Sequence, residues 1–237
     1  MSYWQSTRHP GPCLLFLTPL LFAYEWGVLS LGGSDAASLR NGADGWTRDG
    51  LAQVGLRHPV AAPGVVVAVV AVWFWRKRDS LPDDIPSLCL GMAIESVAGA
   101  VTLWLVSRAY APALEYLGLT LTTPPTLNAA AVGQVVTYLG AGIYEEVMFR
   151  MVLFGGLAFV LQSALPGKAA LVLAALVAAL LFAAAHHVGP HGEAMDGFNF
   201  LFRTLAGLYF TAVYRLRGFG IAVGSHACYD VLVGIPM

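Results

Sequence analysis

The sequence predicts an all-α polytopic integral membrane protein with seven or eight transmembrane helices, forming a single membrane domain over residues 1–237. Hydrophobic residues make up 57% of the chain and charged residues only 11%. The mean hydropathy of +0.68 is too high for an ordinary soluble domain. Several apolar runs also reach the length of about 20 residues that crosses a bilayer. The chain should therefore fold within the membrane.

Seven apolar segments follow one another along the chain. The first has no convincing cleavage site of small residues after it, so we interpret it as a retained helix and not as a signal peptide. The fourth is too long for one upright span and must tilt, kink or divide, with Gly140-Ala141-Gly142 as the expected bend. Its division would raise the count to eight. The segments are Cys13–Leu31, Val60–Trp75, Pro86–Val106, Leu127–Leu165, Lys168–Ala185, Phe198–Tyr214 and Phe219–Ile235.

Two longer connections separate these segments. Residues Gly33 to His58 are too polar to span, and the sequence leaves open whether they form an interfacial segment or only a loop. Residues Tyr110 to Thr126 contain Pro112, Pro124 and Pro125, and we expect these prolines to break the helix.

The charge and the cysteine content of the chain limit its possible binding partners and its possible cellular location. A formal net charge of −1 without a basic stripe excludes a nucleic-acid partner. Cys13, Cys89 and Cys228 form neither a metal-binding spacing nor a disulfide framework. The distribution of basic residues favours a cytoplasmic N-terminus, in a bacterial inner (plasma) membrane. On that side would lie Arg8, Arg76, Lys77, Arg78, Lys168, Arg215 and Arg217.

An unusual group of charges lies in the fourth segment, within residues 143–150. Glu146 and Arg150 are four residues apart, so on a helix they share a face and can pair. Glu145 is turned by about 100° from Glu146 and should face a different wall. Charges at membrane depth generally mark a functional site. A purely structural ion pair needs only one carboxylate, and this segment has two.

The later helices add further ionisable residues. His186 follows Phe182 by four residues, and Asp230 follows His226 by four, so each pair lies on one helical face. Carboxylates and imidazoles that meet at membrane depth suit activation of water. A glutamate can take the proton of a water molecule while a histidine orients it. A second histidine can stabilise the oxyanion of a tetrahedral intermediate.

These three motifs in order resemble the signature of the type II CAAX prenyl endopeptidase and bacteriocin-processing (CPBP, or Abi) family. The motifs are Glu145-Glu146-x-x-x-Arg150, Phe182-x-x-x-His186 and His226-x-x-x-Asp230. The resemblance covers about residues 127–237, the expected protease core of the chain. It implies a glutamic-type intramembrane endopeptidase, a hydrolase that cuts a membrane-anchored or membrane-delivered polypeptide. CAAX-type processing, peptide maturation and C-terminal sorting are all compatible with it.

The resemblance also implies roles for individual residues. Glu145 and His186 would activate water, with Glu146 and Arg150 supporting them. His226 and Asp230 would line the oxyanion side. Many family members have asparagine at the position of Asp230, and an ionised aspartate cannot donate to an oxyanion. Asp230 is therefore either protonated by burial or accepts from His226 and keeps it charged, and we favour the second alternative.

Three other hypotheses remain open from the sequence. We expect no cofactor, but carboxylates and imidazoles suit zinc, and a metal-dependent version would use Glu145, Glu146, His186 and His226. A proton-coupled transporter would also carry buried carboxylates and histidines, although its polar residues would be expected in both halves. A non-catalytic membrane scaffold or immunity factor could retain the fold. The lipid bilayer is a partner in every case.

The other polar residues of the apolar regions are expected to have structural or solvated roles. Glu25 and Glu95 should serve packing, and His187 should point away from His186. Glu193 lies in a Gly/Pro-bearing loop and should be solvated. Arg203 could bind a substrate carboxylate or pair with a neighbouring helix.

Overall fold

The computed structural model describes residues 2–78, 81–119, 131–189 and 192–234, which are helical throughout apart from short turns and contain no strand. The helices are α1 (Tyr3–Ser6), α2 (Pro10–Gly32), α3 (Gly42–Gln53), α4 (Ala61–Lys77), α5 (Ile85–Tyr116), α6 (Ala131–Glu145), α7 (Gly155–Leu161), α8 (Gly167–Ala185), α9 (Gly197–Arg217) and α10 (Phe219–Gly234). A 3₁₀ segment, Gly33–Leu39, precedes α3, and a π-helical segment, Glu146–Phe154, joins α6 to α7.

Polar residues at the helix starts determine where several of these helices begin. Asn41 caps α3 by accepting a hydrogen bond from the Asp44 N–H. Asp196 caps α9 by accepting from the N–H groups of Phe198 and Asn199. A side-chain acceptor at this position satisfies one of the amide donors that the first turn leaves without a partner. Gly218 ends α9 with a φ of 104°, a conformation that favours glycine.

Helix α10 lies at the centre of the molecule and packs against α5, α6 and α9. Its first nine residues, 219–227, are all buried. Gly142 permits the close approach of α6, because a Cβ at this position would lie 2.8 Å from the Ala227 backbone nitrogen. The packing brings the end of α6 directly against the middle of α10.

The interruption of the fourth segment differs from the expectation. Gly140-Ala141-Gly142 lies within regular α-helix, and the change to π-helical hydrogen bonding begins only at Glu146. A π-helical stretch is rare and occurs mostly at functional sites. The helical geometry therefore changes at the charged residues themselves, one residue after Glu145.

Helix α5 also differs from the expectation. It continues through Pro112 to Tyr116, so Pro112 does not break it. Tyr110 packs against the rings of Phe198 and Phe202 on α9 and supports this extension. Pro124 and Pro125 lie outside the described residues.

Within the described parts of the chain, three helices are long and apolar enough to cross a membrane: α2, α5 and α8. Helix α10 is apolar but shorter. The protein is an all-helical integral membrane protein, and the number of seven or eight spans stays a prediction. The polar connection from Gly33 to His58 is more than a simple loop, and an interfacial location for it stays a prediction. It contains α3, which packs against α4 and α6 and buries Asp44 completely.

Candidate active site

Three helical segments bring the predicted site residues together. Glu145 ends α6 and Glu146 opens the π-helical segment, His186 follows the last residue of α8, and His226 lies in α10. The resulting cavity has a volume of about 100 Å³. Glu145 and His186 line it together with Phe149, while α3 and Glu193 form two further walls.

Glu145 faces both histidines with one carboxylate oxygen. Its Oε2 lies 3.9 Å from Nε2 of His186 and 3.8 Å from Nε2 of His226. This oxygen is buried and has no hydrogen-bond partner among the described residues. The other oxygen, Oε1, accepts a hydrogen bond of 3.4 Å from Nδ2 of Asn41. Separations near 3.8 Å are too long for direct hydrogen bonds and suit a bridging water molecule.

The Nδ1 atoms of the two histidines are both engaged by other groups, and their Nε2 atoms are the ring nitrogens nearest to Glu145. Nδ1 of His186 lies 2.8 Å from the carbonyl oxygen of Phe182, which can only accept, so this nitrogen carries a proton. Nδ1 of His226 lies 2.8 Å from Oε1 of Glu146. Such a contact selects the tautomer and fixes the ring. The His226 ring also stacks on Phe210, with centroids 4.4 Å apart and planes inclined by 15°.

The carboxylate of Glu146 supports His226 and does not contact the Glu145–His186 pair. Its Oε1 lies 3.0 Å from Nη1 of Arg150, as the four-residue spacing predicts. Glu146 and Arg150 are 0% and 1% exposed, so the ion pair is fully buried. Glu146 therefore links Arg150 to the ring of His226.

Arg150 is itself held by aromatic rings and by a carbonyl group. Its guanidinium carbon lies 4.4 Å from the ring centre of Phe182 and 5.4 Å from that of Phe210. Nη2 donates a hydrogen bond of 3.4 Å to the carbonyl oxygen of Gly207. Both rings also contact His226. Phe182 and Phe210 thus belong to one packed unit with the ion pair and the histidine.

Asp230 lies at the edge of the site. Its Oδ2 is 3.5 Å from Nε2 of His226, the same nitrogen that faces Glu145. The shortest contact of the His226 ring to a carboxylate is the one to Glu146, at 2.8 Å on Nδ1. The expected His226–Asp230 proximity is present, but Glu146 makes the closer contact with the imidazole.

Sequence reasoning missed the contribution of α3. Asn41 contacts Glu145, and it is positioned by a cluster of four charged residues that we call the charged cluster: Glu25, Arg40, Asp44 and Arg48. The signals in the sequence were the capping pattern Asn41-x-x-Asp44 and the four-residue spacing of Arg40, Asp44 and Arg48. Neither signal indicates by itself that this segment reaches Glu145.

The charged cluster is tightly connected. Arg40 and Arg48 contact Asp44 at 2.6 and 2.7 Å and Glu25 at 3.3 and 2.8 Å. The hydroxyl of Tyr24 donates to Asp44 at 2.7 Å. Burial lowers the pKa of Arg40, but the carboxylates of Asp44 and Glu25 outweigh it and raise this pKa above its ordinary value. The cluster contains two positive and two negative charges and keeps α3 against α2 and α6.

The other polar residues have local partners. Glu95 pairs with Arg217 at 2.6 Å, consistent with a packing role. The ring of His187 points away from His186, stacks on Phe200 and contacts the carbonyl oxygen of Glu193 through Nδ1. His191 lies outside the described residues.

Glu193 is exposed, as predicted, and it also has a specific partner. Its carboxylate accepts a 2.7 Å hydrogen bond from Arg203, and its N–H donates to the carbonyl oxygen of His186. Partial burial raises the pKa of Glu193, but the hydrogen bond and charge of Arg203 outweigh this and hold the pKa below its ordinary value of 4.5. Arg203 thus joins α9 to the connection that follows His186.

The four residues of the hypothetical zinc site do not form one ligand set in this conformation. Glu146 points its Oε1 at Arg150 and at Nδ1 of His226, on the side of that ring remote from Glu145. Tetrahedral zinc with bonds of about 2.0–2.1 Å places its ligand atoms about 3.3 Å apart, closer than the gaps around Glu145. Among the described residues, no three His, Cys, Asp or Glu side chains are arranged to hold a metal ion.

The fold and the site define the class of this protein: an integral membrane protein in which apolar helices enclose a carboxylate and two histidines. Comparison with known families is more specific. Residues 127–232 match the family model described as Type II CAAX prenyl endopeptidase Rce1-like. The matched residues are similar to that CAAX protease family, and they include all six predicted site residues. No curated protein and no solved structure matches the chain.

Proposed function

We propose that this protein is a glutamic-type intramembrane endopeptidase that hydrolyses a peptide bond in a membrane-anchored or membrane-delivered polypeptide. The observation that carries the proposal is the buried Oε2 of Glu145, which faces Nε2 of both His186 and His226 at 3.8–3.9 Å. A water molecule between these atoms would be held next to a base and next to a proton donor. CAAX-type, peptide-maturation and C-terminal sorting substrates all satisfy this description.

Hydrogen-bond donors and acceptors assign a role to each group around the water. Glu145 Oε2 accepts one water hydrogen and His186 Nε2, which is unprotonated in the neutral ring, accepts the other. The water oxygen adds to the scissile carbonyl carbon as Glu145 takes its proton. The carbon–nitrogen bond then breaks, and this proton passes from Glu145 to the leaving amine. Water is the only co-reactant.

His226 stabilises the oxyanion of the tetrahedral intermediate in this scheme. Because its Nδ1 faces Glu146, its Nε2 can donate only when the ring is an imidazolium. Glu146 on one side and Asp230 on the other favour this charged form. Arg150 keeps Glu146 in place. Asp230 acts through His226 and does not itself donate to the oxyanion.

The membrane setting completes the proposal. We infer seven or eight spans, a cytoplasmic N-terminus and residence in a bacterial inner membrane, with the lipid bilayer and a membrane polypeptide as partners. No cofactor is required by the scheme, since Glu145 and His186 together orient and deprotonate the water. A zinc-dependent version would require Glu146 to leave Arg150 and turn toward the cavity.

Cleavage of a membrane-anchored reporter library by the purified protein tests the proposal. Glu145→Gln is expected to lower kcat by about 10²–10⁴-fold, because the amide cannot accept the proton of water. The matched controls are His186→Asn, which should lose activity, and His187→Asn, which should retain it because this ring lies outside the cavity. Thermal unfolding of each variant verifies the fold.

Three outcomes would contradict the scheme. Near-normal turnover by Glu145→Gln would remove the proposed base. Cleavage that is lost to a strong chelator and restored by zinc would move the site to a metal mechanism. Absence of cleavage by the wild type across the library would favour a scaffold, immunity-factor or transporter function for the same helices.

A further inference from the structure

The wall of the cavity that α3 provides comes from a part of the chain that precedes the family-matched residues 127–232. Asn41, the N-cap residue of α3, touches the predicted base. Its Nδ2 donates to Glu145 Oε1 at 3.4 Å, while its Oδ1 accepts from the Asp44 N–H at 2.9 Å. Asn41 is 9% exposed, so both contacts are made away from bulk solvent.

The geometry holds the amide of Asn41 in one orientation. A primary amide has one acceptor atom and one donor atom, and the acceptor is already used as the cap of α3. The donor must therefore point away from the helix, toward Glu145. The charged cluster fixes the position of α3, and Tyr144, the neighbour of Glu145, donates to Glu25 of the same cluster at 3.1 Å. Asn41 and the segment that contains Glu145 are thus both connected to the charged cluster.

We propose that Asn41 is a positioning residue for Glu145, whose amide engages Oε1 and thereby directs Oε2 at Nε2 of His186 and His226. This inference rests on the proposed function. The two oxygens of a carboxylate are chemically equivalent until one of them is engaged. Without the amide, the Glu145 carboxylate can rotate about its last bond, and Oε2 loses its fixed distance to the two imidazoles.

The surroundings of Glu145 offer no substitute for this donor. The charged and titratable groups that face its carboxylate are His186 beyond α8, His226 and Asp230 on α10, and Arg150 of the π-helical segment. Each of these groups either lies near Oε2 or interacts with the carboxylate only over a longer distance, so none of them engages Oε1. Among the described residues, Asn41 provides the only hydrogen bond to Glu145 Oε1 from a side chain.

Three substitutions of Asn41 separate its two contacts. Asn41→Ser retains a cap acceptor for α3, but its side chain is one bond shorter and cannot reach Glu145. Asn41→Asp retains the cap and the size of the side chain and replaces the donor with a second carboxylate. Asn41→Ala removes both contacts. A residue that serves only as a cap should tolerate Ser and Asp, whereas a positioning residue should tolerate neither.

The experiment measures kcat, KM and the thermal unfolding midpoint of each purified variant. Asn41→Ser is expected to lower kcat by up to about 100-fold with little change in KM, and to lower the midpoint only through the loss of the Glu145 contact. Asn41→Asp should lower kcat further, because it places a like charge beside Glu145. Asn41→Ala should lower the midpoint by about 2–4 °C more than Asn41→Ser, because it also loses the cap. Near-wild-type kcat in Asn41→Ser would overturn the inference.

A double-mutant cycle keeps this inference separable from the proposed function. Asn41→Ser and Glu145→Ala are combined, and their shifts of the unfolding midpoint are compared with the sum of the single shifts. A smaller combined shift supports the contact, and additive shifts overturn it. If the wild type cleaves no reporter at all, the proposed function fails, and the positioning role in catalysis is overturned with it even where the cycle supports the contact.

Discussion

Replacement of Arg150 by methionine should destabilise the protein strongly, although methionine fills much of the same space. The substitution leaves Glu146 0% exposed and without its cation. At the observed 3.0 Å, the attraction between two unit charges is about 5.5 kcal/mol for an effective dielectric constant of ~20. Removal of the buried guanidinium also ends its desolvation cost, so the net loss is smaller than this. We expect a fall in the free energy of unfolding of about 3–5 kcal/mol.

A second substitution should restore most of this stability. In the double variant Glu146→Gln/Arg150→Met no unpaired charge remains, and neutral replacement of a buried pair is often close to thermodynamically neutral. The introduced glutamine would also keep an oxygen that can accept from Nδ1 of His226. Activity should stay low, since a neutral amide no longer favours the charged form of His226. The double variant should therefore be more stable than Arg150→Met and still inactive.

Reversible unfolding in mixed detergent micelles measures these free energies. Arg215→Met is the matched control, because Arg215 is exposed near the end of α9 and its replacement should change stability by no more than about 0.5 kcal/mol. A loss below about 1 kcal/mol for Arg150→Met would refute the reasoning. A double variant as unstable as the single one would refute it as well, since the cost would then not arise from the unpaired carboxylate.

Three further predictions concern the walls and the packing of the cavity. Gly42 lines the cavity, and a Cβ at this position meets no atom within 4 Å. Gly42→Leu should therefore narrow the cavity and raise the KM measured in the reporter assay by about tenfold, which corresponds to a loss of ~1.4 kcal/mol in binding free energy. Since the pKa of Glu193 is lowered in the folded protein, its contact with Arg203 should stabilise the connection after α8 above the ordinary pKa and be lost as pH falls through the lowered value. Hydrogen exchange of residues 192–196 measures this loss, and Glu193→Gln should abolish its acid dependence. A Cβ at Gly207 would lie 3.0 Å from Ala179, so Gly207→Ala should lower the stability of the protein by about 1–3 kcal/mol, as measured by thermal unfolding. Gly156→Ala is the control and should not have this effect, because its Cβ meets open space.

Contacts within the helices of the predicted site could be predicted from the sequence because the relevant spacings are local. Glu146 and Arg150 pair across four residues, and His226 and Asp230 approach each other in the same way. A helical repeat fixes such neighbours without knowledge of the tertiary structure. The hydropathy of the chain likewise predicted helices in a membrane, and the composition left no alternative class for the fold.

Contacts between distant segments could not be predicted in this way. Glu146 supports His226 from 80 residues away, and Asn41 reaches Glu145 across 104 residues. Both depend on how α3, α6 and α10 pack together, which no spacing within one helix encodes. The polar composition of residues 33–58 suggested an interfacial segment or a loop, but neutralisation by Arg40 and Arg48 lets Asp44 be fully buried. The prediction that Pro112 breaks the helix was wrong for a related reason. Packing of α5 against α9 stabilises the helix near this proline.

The two walls of the cavity differ in the resistance they offer to displacement. Helix α3 cannot move outward without breaking the contact of Arg48 with Glu25 and that of the fully buried Asp44 with Tyr24, both of which join it to α2. The wall that contains Glu193 is held by the Arg203–Glu193 pair, whose glutamate side chain is 54% exposed, and exposed pairs contribute only about 0–1 kcal/mol. Under the proposed function, a polypeptide substrate would therefore meet the lower barrier to entry and release on the Glu193 side.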